Sequence, residues 1–86
     1  MKYRLLIEKT ADKYLRKLSF EERKRLMAAI VQMAGNPAVP SLHIKKLKQT
    51  VYWRLRVGGY RVIFDREDKL RILRILKIGP RGDVYK

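Results

Sequence analysis

Two adjacent glycines, Gly58 and Gly59, place the strongest constraint on how this chain can fold. The segments on either side, residues 51–57 and 60–65, alternate apolar and polar side chains, as strands with one buried face do. Glycine adopts positive φ at no steric cost, so a Gly-Gly pair between two such segments is typical of a two-residue hairpin turn. Such a turn also determines the register of the two strands, which predicts that residue 57 faces residue 60.

The predicted register gathers apolar side chains on one face of the hairpin, where helices can cover them. The apolar pairs are Trp53 with Phe64, Leu55 with Val62 and Val57 with Tyr60. A second turn at residues 66–69 leads into a third strand over residues 70–78. Its expected register sets Val62 opposite Leu73, which continues the apolar face onto the third strand.

Arginines gather on the opposite face of this predicted sheet. Arg56 lies opposite Arg61, Arg54 shares their face, and the third strand is expected to set Arg74 opposite Arg61. Like charges directly opposite one another in a sheet are destabilising, by up to about 1 kcal/mol per pair. The repeated cost favours a binding site for an anion, and a passively solvated charged face is the alternative.

A strand and two helices precede the hairpin. Residues 3–8 alternate like a half-buried strand, whereas apolar residues from Thr10 onward recur at helical spacing. Thr10 is the expected N-cap of the first helix, and Ser19 with Glu22 matches a capping box at the start of the second. The prediction is an α+β fold in a single domain over residues 1–86. Its N-terminal strand, two-helix hairpin and three-stranded antiparallel meander place the helices on one face of a four-stranded sheet.

The charge of the chain narrows the choice of partner. Its 86 residues include 22 Lys and Arg against 8 Asp and Glu, so the formal net charge is +14. Repulsion among so many cations weakens the compact state, and a polyanion is therefore the expected partner. The lack of cysteine excludes disulfides and thiolate metal sites. No apolar run is long enough to span a membrane, and a cytoplasmic location is expected.

Two stretches of the second half carry a family resemblance: Tyr-Trp-Arg-Leu-Arg-Val-Gly-Gly-Tyr-Arg-Val-Ile-Phe at residues 52–64 and Leu-Lys-Ile-Gly-Pro-Arg-Gly-Asp-Val-Tyr at residues 76–85. With Lys-Leu-Lys at residues 46–48 and the predicted element order, the chain resembles the RelE/ParE toxin superfamily over essentially its whole length. The resemblance implies the RelE-like fold and a toxin of a type II toxin–antitoxin pair. It further implies a ribosome-dependent endoribonuclease that cleaves messenger RNA in the ribosomal A site.

The same resemblance implies partners and functional residues. The partners are the ribosome with its messenger RNA and a cognate antitoxin, expected to be acidic, in an assembly such as a toxin–antitoxin heterotetramer. The family's transition-state-stabilising arginine falls on Arg61, its second catalytic arginine on Arg81, its proposed general base on Tyr85 and a further basic site residue on Arg54. Further residues expected to bind RNA are Lys45, Lys46, Lys48, Tyr52, Arg56 and Arg74. The chain departs from the family pattern at Tyr52, where some relatives have lysine, and at Pro80, where many have a basic residue.

Cleavage of RNA by its own 2′-hydroxyl requires a base, a stabiliser of the dianionic phosphorane and a proton for the leaving oxygen. The forked donors of arginine suit the phosphorane, but arginine stays protonated and cannot take the proton. Tyr85 is then the leading base, because nearby arginines would favour its phenolate, and a structural role in covering apolar residues is the alternative. His43 falls in residues 36–50, which are predicted to form a loop, and is expected to be incidental. Acidic residues are too sparse for a pair of magnesium ions, so no cofactor is expected.

Two other functions stay open. One is a ParE-type toxin that inhibits gyrase by protein binding and has no nuclease activity. The other is a non-catalytic RNA-binding module. The combination of Arg61, Arg81 and Tyr85 favours the nuclease, because ParE-type chains generally lack that set.

Overall fold

A computed structural model describes residues 2–80. Its elements are β1 (Arg4–Ile7), α1 (Lys9–Lys17), α2 (Phe20–Gly35), β2 (His43–Lys46), β3 (Trp53–Val57), β4 (Tyr60–Glu67) and β5 (Ile72–Pro80). The fold is α+β, as predicted, with two helices and one mixed sheet. The predicted catalytic residues Arg81 and Tyr85 lie outside the described residues.

The sheet has five strands in the order β1-β5-β4-β3-β2, so the prediction of four strands is wrong. β1 pairs with β5 in parallel, and the other neighbours pair antiparallel. The additional strand is β2, which lies within the segment predicted to be a loop and pairs with β3 at one edge of the sheet. Its four residues, His-Ile-Lys-Lys, contain one apolar side chain, so no alternation is visible in the sequence. Pairing with β3 supplies the stability that its own composition lacks.

The β3–β4 hairpin has the predicted register. Val57 faces Tyr60, and Arg56 faces Arg61. Gly58 has a φ of 57°, and it is the only glycine with a positive φ among the described residues. Glycine at the first central position of a two-residue turn is the requirement of a type II′ hairpin, whose twist matches that of the strands.

The predicted register of the β4–β5 hairpin is wrong. The turn occupies residues 68–71 instead of 66–69, because β4 continues to Glu67. A register shift next to Ile63 displaces the pairing by one more residue. Arg61 therefore faces Gly79 instead of Arg74, and Arg74 faces Asp65. A β-bulge of this kind depends on long-range pairing and leaves no local mark in the sequence.

The helices cover one face of the sheet and enclose the core with it. The fully buried side chains of the core with the largest volumes are Phe64, Leu26, Ile30, Met33, Leu55, Leu73, Ile75 and Val62. The Ser19 hydroxyl accepts a hydrogen bond from the Glu22 backbone N–H at 3.3 Å, which confirms the predicted cap of α2. The predicted Thr10 cap is wrong, because α1 already begins at Lys9. Neither helix is long and apolar enough to cross a membrane within residues 2–80.

Candidate nucleic-acid interface

The face of the sheet that the helices leave uncovered carries two rows of mostly basic residues, each of which crosses β2, β3 and β4. The first row is His43, Arg56 and Arg61, and the second is Lys45, Arg54 and Ile63. Side chains alternate between the two faces along each strand, and the residues between these positions, Ile44, Leu55 and Val62, pack into the core. Tertiary pairing therefore places three arginines of two strands side by side, as the sequence predicted.

The two rows contain a cluster of three arginines, Arg54, Arg56 and Arg61. No carboxylate among residues 2–80 forms an ion pair with any of them. Their Nε atoms are buried and have no hydrogen-bond partner among the described residues. Burial, together with repulsion from Arg56 and Arg61, lowers the pKa of Arg54. A buried donor without an acceptor costs about 1–3 kcal/mol, and more when the group is charged. A bound anion would satisfy the donors and cancel the repulsion, so the cluster is a candidate anion site.

Arg61 occupies the centre of the candidate site. It faces Arg56 on β3 and the buried Gly79 on β5. The forked guanidinium donors of an arginine match the oxygens of a phosphate. At the end of the hairpin, Tyr60 faces Pro80, so the described part of β5 ends next to the first row. The catalytic roles of Arg81 and Tyr85, which follow Pro80 in the sequence, stay predictions.

The contact between α2 and the hairpin holds the strand that carries Arg61. The Tyr60 hydroxyl is hydrogen-bonded to Glu22, which raises the pKa of Tyr60. The rings of Tyr14 and Tyr60 meet edge to face with centroids 6.3 Å apart. Arg25 lies directly over Gly58, where a Cβ atom would meet its guanidinium. Three side chains of the helices thus fix the turn that sets Arg56 opposite Arg61.

The other residues predicted to bind RNA divide into two groups. Lys45 lies in the second row, opposite Arg54. Lys46 belongs to the other side of β2, and its Nζ donates to the Thr50 carbonyl oxygen at 2.8 Å. Lys48 and Tyr52 are exposed in the connection between β2 and β3. The structure therefore places Lys45 opposite Arg54, whereas Lys46 lies on the other side of β2 and the other two residues lie in the connection.

Arg74 lies apart from the cluster. Its Nη1 is 3.2 Å from Asp65 Oδ1, in an ion pair whose side chains are 38% and 24% exposed. The neighbouring residues on the same half of the face are Leu6, opposite Arg74, and Ile72, opposite Glu67. Arg74 therefore differs from the arginines of the half near β2, because it already has a carboxylate partner.

Sequence reasoning missed two basic residues of this face. His43 lies at the β2 end of the first row, and Lys77 continues the second row onto β5. Neither carries a local signal, because β2 is too short for alternation and the bulge in the β4–β5 pairing decides which way Lys77 points. No group of three or more His, Asp or Glu among residues 2–80 could hold a metal ion.

Comparison with known proteins shows to which family the chain belongs. Residues 5–85 match the model of the ParE toxin of the type II toxin–antitoxin system parDE. This chain is a toxin of the RelE/ParE superfamily. Its fold resembles RelE in the archaeal RelE–RelB complex of Pyrococcus horikoshii OT3, with a TM-score of 0.83 and 31% identity over 96% of this chain and 99% of that one.

Two further solved structures share the fold of this toxin. In the RelB–RelE antitoxin–toxin complex of Methanococcus jannaschii, the matching chain is 27% identical, with a TM-score of 0.71 over 88% of this chain and 89% of that one. In the intact Escherichia coli RelBE complex it is 24% identical, with a TM-score of 0.74 over 93% and 98% of the two chains. The five-stranded mixed sheet with two helices is thus the RelE-like arrangement.

Proposed function

We propose that this type II toxin is an endoribonuclease that cleaves messenger RNA on the ribosome. The observation that carries the proposal is the cluster of Arg54, Arg56 and Arg61, whose Nε atoms are buried without partners among the described residues. The unsatisfied donors destabilise the free protein, and a bound phosphate removes that destabilisation. The phosphorane of RNA cleavage carries more negative charge than the phosphate from which it forms. The cluster therefore favours the transition state over the ground state, which is the requirement for catalysis.

The roles proposed for Arg54, Arg56 and Arg61 are supported by their positions, and those proposed for Arg81 and Tyr85 by the family resemblance. Arg61 donates to the phosphorane oxygens, and Arg56 and Arg54 hold the surrounding phosphates. Arginine cannot remove the proton from the 2′-hydroxyl because it stays protonated, so Tyr85 is proposed as the base and Arg81 as a second donor. The ribosome would supply the alignment of the 2′-hydroxyl with the phosphate, and alignment of this kind contributes several kcal/mol to such reactions.

A cognate antitoxin is the proposed protein partner. RelE-like relatives have been solved as complexes with RelB, which supports a corresponding antitoxin for this chain. The net charge of +14 requires a partner with an acidic surface if the arginine cluster is to be covered. A toxin–antitoxin heterotetramer in the cytoplasm is the proposed resting form.

Inhibition of gyrase is the second candidate function. The observation that favours it is the family match, because the model that fits residues 5–85 is that of ParE toxins. It gives no role to the cluster of Arg54, Arg56 and Arg61, and the nuclease is therefore the preferred proposal.

The test is to map messenger RNA 5′ ends after induction of the toxin in cells, and in a translation extract with and without ribosomes. New ends that depend on ribosomes are expected, and Arg61→Ala should reduce their rate of formation about 100- to 1,000-fold. Arg4→Ala is the matched control, because Arg4 is an exposed arginine on the same sheet face at the β1 edge. Intact messenger RNA together with loss of plasmid supercoiling would replace the nuclease with the gyrase inhibitor.

A further inference from the structure

His43 occupies a position that its sequence neighbourhood does not suggest. It is exposed on β2, the edge strand, directly opposite Arg56. Its neighbour Ile44 packs into the core, so His43 lies on the uncovered face with the arginine cluster. The first row therefore runs from Arg61 through Arg56 to the edge of the sheet and ends on the only histidine of the chain.

Within residues 2–80, every charged group that faces His43 is a cation. Arg56 lies opposite on β3, Arg54 is the diagonal neighbour on that strand, and Lys45 is the next residue on the same side of β2. The helices lie on the other face of the sheet, and within the described residues no strand pairs with the outer edge of β2. An anion bound here would attract a protonated imidazole as well as the three neighbouring cations. Anion binding and proton uptake at His43 are thereby coupled.

We propose that His43 binds an RNA phosphate and that its protonation tightens the binding of RNA, an inference that rests on the proposed RNA function. Neighbouring strands lie about 4.7–4.9 Å apart, so His43 is roughly 10 Å from Arg61, two strands away. Arg56 lies between the two in the first row, so in this proposal Arg56 and Arg61 bind one phosphate and His43 takes the phosphate of a neighbouring nucleotide. The RNA strand crosses the sheet along the first row and leaves it over the β2 edge.

Because the chain has a single histidine, the pH dependence of RNA binding can test this proposal. Histidine is the side chain that ordinarily changes charge between about pH 5 and pH 8, and the chain has one. Backbone phosphates of RNA keep their charge throughout that range. A pH dependence of RNA binding in this interval that is lost in His43→Gln therefore reports on His43.

The experiment measures fluorescence anisotropy of a labelled single-stranded oligoribonucleotide bound to the full chain. Its 2′-hydroxyls are methylated, so that the strand cannot be cleaved. Each phosphate contact with single-stranded RNA contributes about 0.7 to the slope of log K against log salt, which amounts to roughly five-fold in affinity at about 0.1 M salt. We expect the wild-type chain to bind about five-fold more tightly at about pH 5.5 than at about pH 7.5.

Three variants separate the alternatives. H43Q should bind at both pH values as the wild type does at the higher one, and H43K should bind at both as the wild type does at the lower one. Arg4→Gln removes a cation from the opposite edge of the same face and should keep the wild-type pH ratio. A pH ratio retained in H43Q, or a wild-type ratio of one, overturns the inference. Absence of any RNA binding also overturns the inference. Absence of ribosome-dependent messenger RNA ends overturns the proposed nuclease, and a His43-dependent ratio in such a chain leaves the inference standing without the nuclease.

Discussion

The arginines on the two halves of the uncovered sheet face differ in whether a described residue balances their charge. In the half formed by β2, β3 and β4, Arg56 and Arg61 face each other and their Nε atoms have no partner among the described residues. In the half formed by β1 and β5, Arg74 is paired with Asp65 on the adjoining strand. The charge of Arg74 in the second half is thus balanced within the fold by a carboxylate. Charge left unsatisfied, as in the first half, weakens the free protein, which is the mark of a group kept for a ligand.

The largest expected effect on the fold is a gain in stability when the first half loses an arginine. Arg56→Met keeps most of the hydrocarbon chain and removes the charge, so repulsion with Arg61 disappears. We expect the free energy of unfolding to rise by about 1 kcal/mol and the melting temperature by roughly 4–8 °C, while RNA binding weakens. Thermal denaturation followed by circular dichroism measures the shift.

The control for this prediction is Arg4→Met, which removes an arginine from the β1 edge of the same face. It should leave the melting temperature nearly unchanged, because surface substitutions of this kind stay within about 0.5 kcal/mol. A melting temperature that falls in Arg56→Met would show that the two halves do not differ in the way described.

A smaller effect of the opposite sign is expected in the second half. Asp65→Asn keeps the shape of the side chain and removes the charge that Arg74 faces at 3.2 Å. Because both side chains are partly exposed, we expect a loss of only about 0.5 kcal/mol in the free energy of unfolding, measured by urea denaturation. In an Arg74→Gln background the same substitution should cost nothing, and an equal loss in both backgrounds would exclude the ion pair as its cause.

The smallest effect concerns pH and the β4–β5 turn. The Tyr3 hydroxyl donates a hydrogen bond to Asp68 at 2.7 Å and, with Arg66, holds the pKa of that carboxyl below its usual range. A carboxyl with a lowered pKa stabilises the fold above its unfolded pKa and loses that contribution as the pH falls toward the folded one. Asp68→Asn should therefore make the melting temperature less dependent on pH below about pH 4.

Tyr3→Phe is the matched variant for the pH prediction, because it removes the hydrogen bond and leaves the carboxyl in place. It should flatten the same part of the pH profile. A profile that stays unchanged in both variants would mean that the Tyr3–Asp68 contact does not contribute to stability in solution.

Local patterns predicted the parts of this fold that local forces determine. The Gly58-Gly59 turn predicted the pairing of Arg56 with Arg61, and Ser19 predicted the start of α2, because each acts on residues close in the chain. The strand β2 and the register of β5 could not be predicted in this way. The first depends on an edge that β3 offers, and the second on a bulge that forms only when β4 and β5 pair.

By itself, the sequence determined that this protein is strongly cationic, that it contains an arginine-bearing hairpin of defined register and that it has one histidine. Only the tertiary structure decided which cations have a carboxylate partner within residues 2–80. Arg74 lies opposite Asp65 instead of Arg61, and His43 lies on a strand at the end of the arginine row instead of in the predicted loop. The physical reason is that the net charge depends on composition alone and a tight turn depends on adjacent residues alone. The partner of each charge depends on which strands meet and at what register.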